Sequence, residues 1–248
     1  RAAQLGNPDL ILLPGTKNTM SDLAWMRQSG MEAAVLKAHA AGCPIFGICG
    51  GYQMLGEELS DPFGVEDGGT MRGMGLLPMH TVFTEEKTRT RVNGQFLQVK
   101  GDLAGLSGIA FSGYEIHMGQ SVSDGNLSML TKISDHVGHT SEGSADGGAK
   151  TLLQSGSAME KCEGAIGENV YGSYVHGIFD AQEVVNAIVK ALAEKNGATD
   201  AEKKVGNGLA SFTMKADGKI NLAASGTDST GDLTFAAGTG KGGLTLQI

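Results

Sequence analysis

Two short apolar runs near the start of the chain each end at turn residues. Residues 9–13 (DLILL) stop at a Pro-Gly pair, and residues 44–48 (PIFGI) lead into Cys-Gly-Gly. Continuous apolar runs of this length are typical of strands that are buried on both faces, as in a parallel sheet. Residues 21–29 and 31–41 between them, and residues 52–59 after them, have helical patterns. This alternation predicts an α/β fold with a mostly parallel sheet flanked by helices.

The expected ends of the helices follow from polar and glycine residues. Ser21 is a candidate N-cap, because its hydroxyl can accept a hydrogen bond from the first helical turn. Gly30 and Gly42 are expected to end the first and second helices, since glycine accepts the left-handed backbone found there. Residues 180–183 (DAQE) resemble a capping box before a further helix that ends near Gly197. That helix is predicted to bury one apolar stripe, formed by Val184, Val185, Ile188, Val189 and Leu192.

The middle of the chain has a different pattern. Residues 61–120 are rich in strand-forming residues and glycine, with strands predicted at 89–92, 96–99 and 114–118. Residues 121–165 are polar and rich in Gly, Ser and Asp, which predicts loops.

The last part of the chain, residues 197–248, is dominated by Gly, Thr, Ser, Ala and Asp. Its loosely alternating apolar residues predict a β-rich or partly disordered tail, which we expect to lie outside the α/β core. The chain begins with Arg1 and reaches its first predicted strand almost at once. We therefore expect residues 1–196 to form one N-terminally truncated domain, followed by a tail of uncertain origin.

Composition and charge exclude several classes of protein. The 248 residues are 40% hydrophobic, which is enough for one sizeable domain with extra material or for two small domains. The net charge of −8 and the lack of a Lys/Arg run argue against a nucleic-acid-binding surface. No apolar stretch approaches the ~20 residues that span a bilayer, and no signal-peptide pattern is seen. We therefore expect neither nucleic acid nor a membrane as a partner.

The three cysteines, Cys43, Cys49 and Cys162, match neither a disulfide framework nor a zinc template. Their number is odd, and free thiols suit a reducing cytosol, so a cytoplasmic location is expected. The sequence predicts no metal site.

The segment around Cys49, Gly-Ile-Cys-Gly-Gly at residues 47–51, predicts a reactive thiol. Its glycines permit a tight strand-to-helix elbow that lifts a side chain above the edge of the sheet. The N-terminus of the following helix offers N–H groups that favour a thiolate and a developing oxyanion. A lone cysteine is more often a small buried hydrophobic residue, but here strand, elbow glycines and helix coincide.

A cysteine nucleophile needs a base, and His176 is the first candidate. It ends a strand-like run, and the carboxyl ends of parallel strands meet at one edge of a sheet, where Cys49 is expected. His117 is the main competitor. Gly15, which follows the first strand, and Gly50 could donate the two backbone N–H groups of an oxyanion hole, although ordinary turns of this kind are common. A phosphate loop is excluded, because the chain has no G-x-x-x-x-G-K-[ST].

Four segments, in the same order, resemble the C-terminal glutaminase domain of the cobyric acid synthase family. They are PGTKNT at 14–19, FGICGGYQMLG at 46–56, SGYEIHMG at 112–119 and YVHGIFD at 174–180. The resemblance covers residues 7–196. This family is a branch of the class I, or triad, glutamine amidotransferases; the elbow alone fits the whole class, whereas YEIHMG narrows the resemblance to this branch.

The resemblance implies a flavodoxin-like sheet, with Cys49 as nucleophile, His176 as its base and Gln53 helping to hold glutamine. It also implies that ammonia released from glutamine passes to an N-terminal synthetase domain, which amidates carboxylates of its corrinoid substrate in cobalamin biosynthesis. No cofactor is implied for the glutaminase domain itself, because ATP and Mg²⁺ serve the synthetase domain.

The third member of the catalytic triad stays open. Many triad amidotransferases carry Glu two residues after the histidine, whereas here that position is Ile178, so Asp180 and Glu115 are the candidates. Two other functions also stay open. The chain could be the glutaminase of another amidotransferase, such as an a,c-diamide synthase or a cell-wall amidotransferase, or it could be a non-catalytic fragment.

Overall fold

The structure, a computed structural model, describes residues 5–123, 127–137, 161–197, 210–214, 219–224 and 246–247. In chain order, its helices and strands are β1 (Leu10–Leu13), α1 (Thr19–Gln28), α2 (Met31–Ala40), β2 (Ile45–Ile48), α3 (Gly50–Met54), β3 (Glu58–Asp61), β4 (Gly69–Arg72), β5 (Met79–Phe96), β6 (Ala110–Ser123), β7 (Thr131–Val137), β8 (Lys161–Glu163), β9 (Ala165–Ile166), β10 (Val170–Ser173), β11 (Val175–His176), α4 (Gln182–Lys195), β12 (Ala210–Met214), β13 (Lys219–Ala224) and β14 (Leu246–Gln247). A 3-10 helix, Gly101–Leu106, lies between β5 and β6.

The first sheet has a parallel centre that is buried on both faces. β2 lies between β1 and β10 and pairs in parallel with both, while β9 pairs antiparallel with β10. Leu10 and Phe46 belong to one core cluster, and Ile11 and Ile45 belong to the other. Since neighbouring residues on a strand point to opposite faces, the two clusters lie on opposite sides of the sheet. The continuous apolar runs are explained by this double burial.

Helices cover both faces of this sheet. Residues of α1 and α2, including Leu23 and Val35, pack in one cluster, and residues of α4 pack in the other. The predicted stripe of α4 is buried at four positions, and the fifth, Val189, is partly buried against the same cluster. The prediction of an α/β fold with a parallel-rich sheet flanked by helices is confirmed.

The second sheet brings the end of β10 close to β6. Its strand order is β11-β6-β5-β3-β4, with β7 paired to β5 and β8 paired to β7. Tyr174 alone separates β10 of the first sheet from β11 of the second. In β11, Val175 pairs with Glu115 and His176 pairs with Tyr114. His176 therefore lies where the two sheets meet.

Three strands of the tail continue the first sheet beyond β1. β14 pairs in parallel with β1, β13 pairs antiparallel with β14, and β12 pairs antiparallel with β13. The tail thus contains strands, as predicted, but these strands extend the sheet of the α/β core. The expectation that the tail lies outside the core is therefore wrong for these strands. The alternative of a partly disordered tail concerns residues 197–248, most of which lie outside the described ranges, and the domain division at residue 197 stays a prediction.

Two predicted helix caps are wrong. The N-cap of α1 is Asn18, whose Oδ1 accepts a 2.8 Å hydrogen bond from the backbone N–H of Ser21, so this helix begins before the predicted cap. The N-cap of α4 is Ala181, without a side-chain hydrogen bond, so residues 180–183 do not form a capping box.

Several predicted boundaries in the middle of the chain also differ. The helix expected at 52–59 ends at Met54, because the chain turns at Gly56, where a Cβ atom would lie 2.7 Å from the carbonyl oxygen of Met79. Of the strand expected at 96–99, only Phe96 lies in a strand, as the last residue of β5. The expected loop at 121–165 contains the end of β6 and all of β7 and β8, while residues 138–160 lie outside the described ranges.

Candidate active site

Cys49 lies at a sharp turn between the end of β2 and the start of α3. Its backbone has φ 51° and ψ −109°, a left-handed conformation that is strained for a residue with a side chain. The turn is held from both sides, since the N–H of Cys49 donates to the carbonyl of Ser173 at 2.8 Å and its own carbonyl accepts from Gln53 N–H at 3.0 Å. This is the geometry of a nucleophile elbow.

The glycines of the elbow allow very close packing. A Cβ atom on Gly47 would lie 2.7 Å from the carbonyl oxygen of Gly51 and equally close to Leu55 Cδ1. A Cβ atom on Gly51 would collide with the backbone of Leu13, at the end of β1. The pattern Gly-Ile-Cys-Gly-Gly is therefore required by the approach of β1, β2 and α3 at this point.

The structure brings Cys49 and His176 to the same place. A Cβ atom on Gly15 would lie 3.5 Å from Cys49 Cβ and 2.7 Å from His176 Cε1. The thiol of Cys49 donates to the carbonyl oxygen of Ile116 at 3.4 Å, and the same carbonyl acts on the imidazole of His176, opposing the fall in its pKa. Residues from four distant parts of the chain thus converge on one thiol and one imidazole.

Burial dominates the electrostatics of this pair. Burial raises the pKa of the Cys49 thiol to about 11, although the N–H of Gly50 opposes this rise by hydrogen bonding to the sulfur. Burial also lowers the pKa of His176, against the opposing effect of the Ile116 carbonyl. At neutral pH the thiol is protonated and the imidazole is neutral. The N–H of Gly50, at the start of α3, favours the thiolate as expected, but desolvation has the larger effect on the pKa of Cys49.

Gly15 and Gly50 lie beside the thiol. A Cβ atom on Gly50 would lie 3.0 Å from the backbone nitrogen of Thr16, so the loop after β1 packs directly on the elbow. The N–H of Gly51 donates to the carbonyl of Pro14 at 3.1 Å and fastens this loop. Gly15 is exposed, so a substrate can approach the thiol from this side. Both glycines lie close to the thiol, and their role as donors of an oxyanion hole stays a prediction.

Gln53 lies behind the thiol, in the interior. Its side chain is 2% exposed, with Oε1 accepting from Thr19 Oγ1 at 3.1 Å and Nε2 donating to Tyr174 Oη at 3.3 Å. Both ends of its amide are therefore engaged by the protein. These contacts connect α1, α3 and the junction between β10 and β11, and direct contact with glutamine stays a prediction.

Neither candidate for a third triad member contacts His176 in the part of the chain that the structure describes. Glu115 pairs with Val175 across β6 and β11, so its side chain lies on the face of the sheet opposite to that of His176. It is buried and faces Lys161 Nζ at 4.0 Å. Asp180 is exposed. The backbone carbonyl of Ile116 is instead the group that favours the protonated form of this imidazole.

His117, the competing base, is held away from this role by its surroundings. Its ring stacks on that of Tyr174 at a centroid distance of 3.9 Å, and its Nδ1 lies 2.8 Å from the carbonyl oxygen of Gly119. Burial lowers its pKa. We assign His117 to the packing of the interior behind Cys49.

Glu163 is a functional candidate that the sequence analysis missed. Its Oε2 accepts from Ser173 Oγ at 2.8 Å and from Thr131 Oγ1 at 3.1 Å, and its Oε1 accepts from Tyr174 N–H at 2.5 Å. Burial raises its pKa to about 7, despite these hydrogen bonds. This carboxyl anchors the segment that leads to His176. Nothing in the polar surroundings of Glu163 in the sequence indicates this burial.

Within the described ranges, no group of three or more His, Cys, Asp or Glu side chains could hold a metal ion. Among the same residues, no helix is both long and apolar enough to cross a membrane.

Comparison with known proteins gives the family. The model of the CobB/CobQ-like glutamine amidotransferase domain matches residues 1–184. A cobyric acid synthase of Ruminiclostridium cellulolyticum is 50% identical over 194 residues, covering 78% of this chain and 34% of that protein. A cobyric acid synthase of Lachnoclostridium phytofermentans is 43% identical over 203 residues, covering 79% of this chain and 36% of that protein. The chain thus spans about a third of the length of these relatives.

Solved structures are more distant. A crystal structure of a glutamine amidotransferase aligns with a TM-score of 0.45 and 16% identity, covering 78% of this chain and 84% of that one. A glutamine amidotransferase of Thermotoga maritima aligns with a TM-score of 0.40 and 11% identity, covering 76% of this chain and 62% of that one. On the family match and the identity of its relatives, the chain belongs to the CobB/CobQ-like glutamine amidotransferase domain family.

Proposed function

We propose that this chain is the glutaminase domain of a cobyric acid synthase, with Cys49 as nucleophile and His176 as base. The observation that carries the proposal is the convergence of the thiol and the imidazole beside Gly15. Identity of 40–50% to proteins named cobyric acid synthase supports the assignment to this branch over the a,c-diamide synthase and cell-wall alternatives.

The reaction begins with a neutral pair. His176 removes the proton from Cys49 Sγ as the sulfur attacks the side-chain amide carbon of glutamine. The backbone N–H groups of Gly15 and Gly50 hold the oxyanion of the tetrahedral intermediate. His176 then returns the proton to the departing nitrogen, and ammonia leaves. Water hydrolyses the resulting γ-glutamyl thioester and releases glutamate.

Ammonia is then used outside this chain. The synthetase part of the whole protein, with ATP and Mg²⁺, activates carboxylates of a corrinoid substrate for amidation in cobalamin biosynthesis. We place the enzyme in the cytoplasm. The a,c-diamide synthase and cell-wall alternatives are tested by offering each acceptor with its synthetase partner, since only the correct pair couples glutamine hydrolysis to amide formation.

The catalytic assignment is tested by replacing Cys49 with Ala. Glutaminase activity, measured as glutamate release in the presence of the synthetase partner, should fall by at least about 1,000-fold, because the nucleophile and its base act as a unit. Cys43→Ala and Cys162→Ala remove a buried and an exposed thiol elsewhere and serve as matched controls. Glutamate release by Cys49→Ala at the wild-type rate, in a folded protein, contradicts the assignment.

A further inference from the structure

Tyr114 is an aromatic residue beside the candidate base that the proposed reaction does not use. It is 45% exposed, on β6, directly opposite His176 on β11. The rings of the two residues are stacked, with centroids 5.1 Å apart and planes 6° from parallel. Paired residues on adjacent strands point to the same face of a sheet, so the pairing register itself places the phenol ring against the imidazole.

His176 needs a contact that fixes the orientation of its ring. In a Cys–His–acid site a carboxylate supplies that contact, but neither Asp180 nor Glu115 touches this imidazole within the described ranges. The backbone carbonyl of Ile116 acts on the ring and favours its protonated form. His176 Nε2 is buried and makes no hydrogen bond to any described residue. A single backbone carbonyl leaves the plane of the ring free to tilt.

A parallel neighbouring ring removes this freedom. If the imidazole rotated about its Cβ–Cγ bond, its edge would turn toward the face of Tyr114 and the stacked contact would be lost. The carbonyl of Ile116 and the ring of Tyr114 together define both the direction and the plane of the imidazole. Both contacts come from β6, two residues apart, so one strand orients the base.

We propose that Tyr114 is a positioning residue for His176, and that its ring, with the Ile116 carbonyl, does the orienting that a carboxylate does in a triad. The inference rests on the proposed function, since it takes His176 as the base. It assigns the role to the aromatic ring and gives the hydroxyl group no part in it.

The experiment compares Tyr114→Phe, which keeps the ring, with Tyr114→Leu, which keeps an apolar side chain without one. Tyr114→Leu should lower kcat for glutamine hydrolysis by about 3- to 10-fold, the range set by one aromatic contact, with KM within about twofold of wild type. Tyr114→Phe should restore kcat to within about twofold of wild type. Inactivation of Cys49 by a diazo-ketone analogue of glutamine should slow in the same order.

Controls separate positioning from folding. Phe63→Leu removes another exposed aromatic side chain, 61% exposed and on the β3–β4 connection, and should leave kcat unchanged. Thermal unfolding of each variant should stay close to that of the wild type, because nearly half of the Tyr114 side chain is exposed. Tyr114→Val provides a second ring-free variant should the Leu variant not fold.

Different outcomes would show that this inference is wrong or that the proposed function itself is wrong. Wild-type kcat in the ring-free variants overturns the inference, and so does an equal loss in Tyr114→Phe and Tyr114→Leu, since the hydroxyl would then be responsible. A loss that appears as raised KM with unchanged kcat also overturns it. If the wild type with its synthetase partner neither hydrolyses glutamine nor reacts with the analogue, the proposed function itself is wrong.

Discussion

Replacing Glu163 with Gln should stabilise the protein, and the gain should grow with pH. This carboxyl is buried, and burial raises its pKa from 4.5 to about 7. Because the folded pKa lies above the unfolded one, the folded state holds the proton more tightly. The stability that this proton provides is complete below pH 4.5 and is lost as the pH rises through about 7.

The size of the effect follows from the two pKa values. At about 1.4 kcal/mol per unit, the full shift corresponds to roughly 3 kcal/mol of unfolding free energy. The carboxyl is 4% exposed, so solvent screening does not reduce this value. Gln fits the same contacts, since its oxygen can accept from Tyr174 N–H while its amide group donates to the hydroxyl oxygens of Ser173 and Thr131.

Urea unfolding at pH 5 and pH 8, followed by circular dichroism, measures the change. Between these two pH values, the variant should gain about 2 to 3 kcal/mol relative to the wild type. Glu168→Gln, at an exposed position between β9 and β10, is the control for loss of a charge. If wild type and Glu163→Gln differ by the same free energy at both pH values, the reasoning about buried charge is refuted.

Two further predictions concern the catalytic pair. Gly15→Ala should lower kcat by about 10- to 100-fold, because the new Cβ would lie 2.7 Å from His176 Cε1 and must displace the ring. Steady-state kinetics measure this loss, and a normal far-ultraviolet spectrum shows that the variant is folded. An unchanged kcat contradicts the prediction. Alkylation of Cys49 by iodoacetamide should rise about tenfold per pH unit from pH 6 to 9, because its thiol has a pKa of about 11. Mass spectrometry measures how much of the Cys49 peptide is modified, with the exposed Cys162 as internal comparison. A plateau in the alkylation rate near neutral pH would mean that Cys49 is a thiolate at rest and would contradict the prediction.

The parts of the fold set by local pattern were predictable from the sequence. β1 and β2 are continuous apolar runs because both of their faces are covered, and the elbow glycines are needed where β1, β2 and α3 approach closely. Even in this part of the fold, the predicted N-cap of α1 was wrong. Both Asn18 and Ser21 can cap a helix, and the choice depended on where the preceding loop enters α1, which the tertiary structure decides.

The second sheet and half of the site were not predictable in this way. β5 is 18 residues long and pairs with β3, β6 and β7, contacts that depend on residues far apart in the sequence. The role of Tyr114 requires the register between β6 and β11, because a shift of one residue would place Glu115 opposite His176 instead. Glu163 lies in a stretch that looked like a solvated loop, and its burial results from strands β7, β8 and β10 packing together.

In the part of the chain that the structure describes, no carboxylate forms an ion pair or a hydrogen bond with His176, and this agrees with an uncharged resting state of Cys49 and His176. A carboxylate at His176 would stabilise imidazolium and favour an ion pair with the Cys49 thiolate before substrate arrives. Among the described residues, the groups found beside the base include a backbone carbonyl and an aromatic ring, and desolvation favours the uncharged form of both partners. In the proposed reaction, charge therefore develops only as the sulfur attacks, when the N–H groups of Gly15 and Gly50 are proposed to hold the oxyanion. In the proposed reaction, such a site restrains the buried Cys49 thiol until glutamine is bound, which limits side reactions even though the exposed Gly15 lies beside it.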